Sequence, residues 1–169
     1  MNKQKPKPRI RWLREAGKAL LLMLVITFAL DQWNGRDMPD TAIPSIVTES
    51  VAGQKIDVMA MSKEQPVVLY FWATWCGACK FVSPTVNWLP GSYSVVSVAL
   101  SSGSDARVQR YLAAHEYTFE TINDAQGGLA KDWGIRVTPS IVIIKDGKIR
   151  SITTGITTPI GLLARLWLA

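Results

Sequence analysis

The sequence predicts a three-layer α/β domain with a mixed central sheet, preceded by one apolar N-terminal helix. Three observations predict it. Apolar runs of strand length are interleaved with stretches of helical spacing. One of those runs, "PVVLYFWA" at 66–73, is apolar without a break, as in a strand covered on both faces. A late strand pair turns at Asp146-Gly147, which makes those two strands antiparallel and the sheet mixed. At 169 residues the chain holds one ordinary domain and an appendage.

The appendage comes first. Residues 1–18 carry Lys3, Lys5, Lys7, Arg9, Arg11, Arg14 and Lys18 against Glu15 alone, which accounts for the whole net charge of +6. The remainder is neutral, so a nucleic-acid surface loses its main support. "ALLLMLVITFAL" (19–30) follows. Twelve apolar residues are short for a bilayer span and resemble a signal-peptide core. No small-x-small cleavage site follows, however, and Trp12 and Trp33 flank the run at interface-like positions, with Lys18 able to snorkel. The expectation is an uncleaved transmembrane anchor over 19–33, starting as early as 12, with the basic end in the cytoplasm and the rest outside the inner membrane. A cleaved signal and a buried soluble helix are the alternatives. "DQWNGRDMPDTAIPS" is rich in turn formers, and 34–44 reads as an extended tether.

The domain spans 45–169. "SIVTESVAGQKIDVMAM" reads as a hairpin turning near Ala52, Gly53 and Gln54. The buried strand 66–73 comes next, then "KFVSPTVNWL", helical in spacing although it holds Pro84. "YSVVSVALS" is a second buried strand. "DARVQRYLAAHEY" is a helix with Asp105 as its N-cap, and "GGLAKDWG" a short one stopped by Gly134. "SIVIIKDGKIRSIT" is the late hairpin, and "TPIGLLARLWL" closes the chain as an amphipathic helix started at Thr158-Pro159.

The chemistry sits in "WATWCGACK", where Cys76 and Cys79 are the only cysteines. A structural zinc site needs four ligands, and two cysteines with the single His115 cannot complete one in a monomer. A permanent staple is geometrically open, but so short a loop saves little chain entropy. A redox dithiol at a strand-to-helix junction fits the surroundings best. With the helix starting around Cys76, that sulfur meets unpaired N–H groups and the dipole, which favour a thiolate. Cys79 stands one turn later on the same face and can close the ring. Gly77 and Ala78 add little bulk and leave the first sulfur accessible. An exchange cycle through a mixed disulfide follows, with Cys79 resolving it.

"FWATWCGACKFVSP" resembles the active-site segment of thioredoxins, including the helix-kinking proline, here Pro84. "WGIRVTPSIVIIKDGKI" resembles the thioredoxin segment that holds a cis-proline, a strand and a hairpin. The likeness covers about 65–168 and implies a thioredoxin-like α/β/α fold with an N-terminal hairpin extension. It implies a cis Pro139 beside Cys76, and a groove lined by Trp75, Gly77, Ala78, Thr138 and Pro139 where a partner chain lies. Within the superfamily the chain resembles membrane-anchored periplasmic members, nearest the D type of the suppressor of copper sensitivity proteins, then the cytochrome c maturation reductases and TlpA-like proteins. That implies a membrane-embedded thiol reductase as electron donor, protein disulfides as substrates, a link to copper stress, and no cofactor beyond the redox-active disulfide. One position departs from the pattern: Tyr70 stands where thioredoxins carry a buried aspartate, and a tyrosine cannot serve as a base near neutral pH. Glu49 and Glu64 are candidate substitutes, each otherwise a solvated surface acid.

The functional reading is an anchored periplasmic thiol–disulfide oxidoreductase, reductant rather than oxidant. A thiol oxidant, a Cu(I)-binding module on the cysteine pair and a non-catalytic interaction domain are the alternatives. Other residues have blander roles. His115 reads as a surface or helix-end residue, Trp72 as core or groove wall, and Lys80 as solvated. Met59 and Met61, soft enough for copper, sit in an expected strand without partners.

Overall fold

The computed structural model describes residues 8–35, 43–89, 91 and 93–169. The chain divides into two compact units, Met1–Trp33 and Asn34–Ala169. The first basic residues and most of the tether lie outside the described residues.

The N-terminal element is α1 (Pro8–Gly35). Its 28 residues extend about 42 Å, and Leu20 to Ile26 stand exposed, as do Trp12 and Trp33. Among the described residues no helix is long and apolar enough to cross a membrane. The expected transmembrane span is therefore not met by length and hydropathy. The unbroken apolar run covers about 18 Å, against roughly 30 Å of hydrocarbon core, and Lys18 and Asp31 bound it.

The second unit opens with a small antiparallel pair, β1 (Val47–Glu49) and β2 (Lys55–Asp57), with Thr48 opposite Ile56. The expected hairpin ends earlier than its sequence suggests. Residues 58–64 form α2 (Val58–Glu64), because Asp57 caps it, its carboxylate accepting from the Ala60 N–H at 2.9 Å. Met59 and Met61 are thus helical, not strand residues.

The main sheet holds β3 (Val67–Trp72), β4 (Ser94–Leu100), β5 (Glu120–Asp124), β6 (Ser140–Lys145) and β7 (Lys148–Thr154). Their order is β5-β4-β3-β6-β7. The β3–β4 and β4–β5 pairs are parallel, while β6 and β7 are antiparallel to their neighbours. The helices are α3 (Cys79–Asn87), α4 (Asp105–Ala114), α5 (Gly128–Asp132) and α6 (Pro159–Trp167).

The layers follow from β3, which is buried at every position. Val68, Tyr70 and Trp72 face a cluster with Val82 and Val86 of α3, Val108 and Leu112 of α4, and Leu162 and Leu166 of α6. Val67, Leu69 and Phe71 face the other cluster, with Val58 of α2 and Trp133 after α5. This period-two alternation between two covered faces is why the run reads as continuously apolar. The turn from β6 to β7 places Asp146 at φ +55° and Gly147 at φ +68°, the left-handed pair that a tight hairpin needs.

Besides α2, three elements differ from the sequence reading. The strand β5 was not expected. Its run "ETIND" has no apolar stretch, yet Thr121 and Ile122 are buried at the sheet edge, and Asp124 accepts from the Ala130 N–H. Helix α4 is capped at Ser104, so Asp105 sits in the first turn, its carboxylate accepting from Asn123. Helix α3 begins at Cys79, not around Cys76, with Ala78 in the cap position.

One chain of polar contacts crosses three strands of the sheet. The Trp72 indole donates to Ser97 Oγ at 3.0 Å, and that hydroxyl pairs with Thr121 Oγ1 at 2.8 Å, all three residues being buried. Ser97→Ala leaves the indole N–H without its acceptor. A loss of about 1–3 kcal/mol is expected, read as a lower urea midpoint with the slope unchanged.

Candidate functional site

Strand β3 ends at Trp72, and the chain turns tightly: the Cys76 N–H donates to Ala73 O at 3.1 Å. Cys76 and Cys79 are joined as a disulfide with Cα atoms 5.3 Å apart. Cys76 is 6% exposed and Cys79 1%. The Cys79 N–H points at Cys76 Sγ, 3.1 Å away. A shorter helix than expected therefore still delivers a backbone donor to the first sulfur, from the first residue of α3 instead of from a turn around Cys76 itself.

The rim of the site is fixed from the neighbouring strand. The loop after β4 accepts twice: Ser102 Oγ from the Thr74 N–H at 3.0 Å, and Ser101 O from the Trp75 indole at 3.2 Å. Ser102 in turn donates to Leu100 O. Trp75 stays mostly exposed despite that bond. Gly77 is exposed, with open space where a side chain would stand, and Ala78 is half-buried. Lys80 is exposed.

The peptide bond Thr138-Pro139 is cis. Ser140 pairs with Phe71, so Pro139 stands one register step beyond, at the end of the sheet from which the cysteine loop departs. Pro139 is buried and Thr138 half-buried; Gly155 donates to Pro139 O at 2.8 Å. The sheet register thus brings Trp75, Gly77, Ala78, Thr138 and Pro139 to the same end as the disulfide. Pro84 lies inside α3 and is exposed. Lacking an N–H, it offers no donor to the turn before it, while its own carbonyl accepts from Trp88.

Tyr70 is wholly buried, and its hydroxyl meets Ser83 Oγ at 2.9 Å. Burial drives the phenol well above its ordinary pKa of 10.0, and the Ser83 bond offsets this in part. Tyr111 and Tyr117 are also raised, chiefly by burial. Tyr70 therefore stays neutral throughout the physiological range. The candidate substitute acids do not take its place: Glu49 on β1 and Glu64 at the end of α2 are both exposed, as surface carboxylates are. His115 caps α4, exposed and stacked on Tyr111 with ring centroids 4.1 Å apart. Met59 lies against Gly147.

Sequence reasoning missed Ser83 and Ser102. Ser83 carries a signal: it is the polar residue four positions after Cys79, on the face that α3 buries. Ser102 carries none, since its contact with Thr74 spans 28 residues.

Three comparisons bear on the site. The AhpC/TSA family model matches residues 35–152. A "Thioredoxin-like protein" of Haemophilus influenzae is 38% identical over 162 residues, covering 95% of this chain and 97% of the relative. The "Thiol-disulfide oxidoreductase ResA" of Oceanobacillus iheyensis is 28% identical, covering 93% and 88%. The crystal structure of StoA from Bacillus subtilis overlays with a TM-score of 0.61 at 25% identity, over 72% of this chain and 96% of that one.

The raised phenol sets an alkaline limit on the fold. Tyr70 binds its proton more tightly folded than unfolded, so its contribution is intact below about pH 10 and is lost as pH rises above it. The urea midpoint should fall above pH 10 in the native chain and fall less steeply in Tyr70→Phe.

Proposed function

Because the chain belongs to the AhpC/TSA family and is a thioredoxin-like thiol–disulfide oxidoreductase, we propose that it reduces disulfides in partner proteins outside the inner membrane. The observation that carries this reading is the nearly buried Cys76–Cys79 disulfide, with Cys76 the more exposed of the two and the Cys79 N–H on its Sγ. A donor on that sulfur favours its thiolate, and its greater exposure makes it the sulfur that a partner reaches.

The cycle runs in two exchanges. In the reduced chain, the Cys76 thiolate attacks a partner disulfide. A Cys76–partner disulfide forms, and the partner's other sulfur leaves as a thiolate and takes up a proton. Cys79, as a thiolate, then attacks Cys76 Sγ. The Cys76–Cys79 bond forms, and the second partner sulfur leaves. The partner gains two electrons and the chain loses two. A membrane-embedded thiol reductase restores them by the same exchange in reverse. Trp75, Gly77, Ala78, Thr138 and Pro139 form the groove in which the partner segment lies, and no cofactor beyond the disulfide takes part.

The chain works from the membrane. What supports this is the basic N-terminus ahead of an apolar stretch, its exposed leucines, and the tryptophans that flank it. A periplasmic site would keep the disulfide stable between cycles. The membrane donor and a place in copper-stress tolerance are supported by resemblance to anchored thioredoxins alone.

Two outcomes are expected. Titrated against thiol redox buffers, the full chain should show a potential well below about −120 mV, the value of a strong thiol oxidant; a value at or above it overturns the reductant direction. Cys76→Ser should abolish exchange, and Cys79→Ser should accumulate mixed disulfides on non-reducing gels. Separately, the full chain should stay with membranes through alkaline carbonate washing, and deletion of 8–35 should release it. Full-length chain in the supernatant removes the membrane setting.

A further inference from the structure

Cys79 is the more deeply buried sulfur, and each exchange turns it between a bonded sulfur and a thiolate. A thiolate in an apolar cluster is costly unless donors meet it. The Cys79 N–H is committed to Cys76 Sγ. Its own helix presents another group. Ser83 stands four residues on, one turn along the same face of α3, with Cβ atoms about 5–6 Å apart in an ideal helix. Both are buried, at 1% and 2% exposure. Behind Ser83, the hydroxyl of the fully buried Tyr70 lies 2.9 Å from Ser83 Oγ. Tyr70, Cys76 and Cys79 belong to one buried cluster.

We propose that Ser83 and Tyr70 form a two-hydroxyl chain that donates to the Cys79 sulfur whenever it carries charge, which makes them positioning residues for the exchange. Tyr70 O–H donates to Ser83 Oγ, and Ser83 O–H turns to the sulfur. No proton leaves either hydroxyl. The electrons follow the cycle already given: when an external thiolate attacks Cys76, the Cys76–Cys79 bond breaks, and its electron pair stays on Cys79. The chain works in both directions of exchange, because the same thiolate attacks in one and leaves in the other. Two neutral hydroxyls achieve this without an acid that titrates. Around the cluster, the charged and titratable groups are Cys76 and Lys80 beside Cys79, Tyr93 ahead of β4, Tyr111 on α4, Tyr117 beyond it, whose hydroxyl also meets Ser83, and Arg165 on α6. Asp105, Arg107, Arg110 and His115 of α4 and its cap are exposed. The buried carboxylate Asp124 is committed to the Ala130 N–H.

This inference rests on Cys79 being the resolving cysteine, and the test separates the two. The full chain is used throughout. In a Cys76→Ser background, thiolate absorbance should show the Cys79 pKa rising by about one unit in both Tyr70→Phe and Ser83→Ala, the effect of one lost hydrogen bond. In the two-cysteine chain, stopped-flow against a small aromatic disulfide should show resolution by Cys79 slowed about threefold, the scarcer thiolate being also the more nucleophilic, and the first attack by Cys76 unchanged. Because the hydroxyls act in series, the double variant should be no slower than Ser83→Ala alone. An unmoved Cys79 titration, or slowing of both steps that adds in the double variant, makes the pair ordinary core and overturns the proposal. Failure of Cys79→Ser to hold a mixed disulfide overturns instead the reading on which it rests.

Discussion

The fold and the site depend on one constraint: β3 is covered on both faces. Its six side chains alternate between two apolar clusters and leave no position facing water. A strand so placed must be central. It also needs helices on each side, and it needs its polar backbone paired on both edges, which β4 and β6 supply. The chain that leaves its end is therefore delivered at a fixed point and angle. The cysteine loop sits there because nothing between Trp72 and Cys76 is long enough to wander, and the turn closes on Ala73 O. Precision at the site is inherited from the core, as a reactive group on a rigid element requires.

The electrostatics around the disulfide are built from dipoles and hydroxyls, not from ions. A backbone N–H points at Cys76 Sγ. Tyr70, held neutral by its burial, points its hydroxyl at Ser83. Lys80 is nearby in sequence but in solvent, where its field is screened. In a low-dielectric cluster this matters twice. Fixed dipoles gain strength there, and charge that appears on a sulfur is met by donors already in place, not by a buried counter-ion. A site of this kind changes one charge at a time, on sulfur.

Most of this arrangement was legible in the sequence, and the gaps have physical causes. The central strand, the late hairpin and the capped final helix declare themselves because burial, turn chemistry and capping each leave a local mark: the apolar run at 66–73, Asp146-Gly147, Thr158-Pro159. Edge strand β5 left none. Its alternation mixes Glu120, Asn123 and Asp124 into the run, and only its pairing with β4 makes it a strand. Helix α2 was hidden by the strand-like look of "KIDVMAM", although Asp57 is a cap in plain view. The cysteine pair was readable from motif spacing and the cis Pro139 from the thioredoxin resemblance, and the structure holds the Cys76–Cys79 disulfide and the cis bond. Ser102 was not readable, because its contact with Thr74 joins segments that only the β3–β4 pairing brings together.

Burial, more than chemical difference, orders the two sulfurs. Exchange needs the incoming sulfur to approach along the line of the breaking bond. Cys79, set in α3 and the apolar cluster, is 1% exposed against 6% for Cys76. Beside Cys76, Gly77 leaves open space where a side chain would stand. Trp75 precedes Cys76, and its bond to Ser101 O ties it to the loop after β4. In the cycle proposed above, a partner therefore meets Cys76 first, in either direction of electron flow, and Cys79 acts only on a sulfur already held. The direction is then decided by the relative stability of the bonded and open pair, which the backbone donor on Cys76 Sγ helps to set, while access stays the same for both.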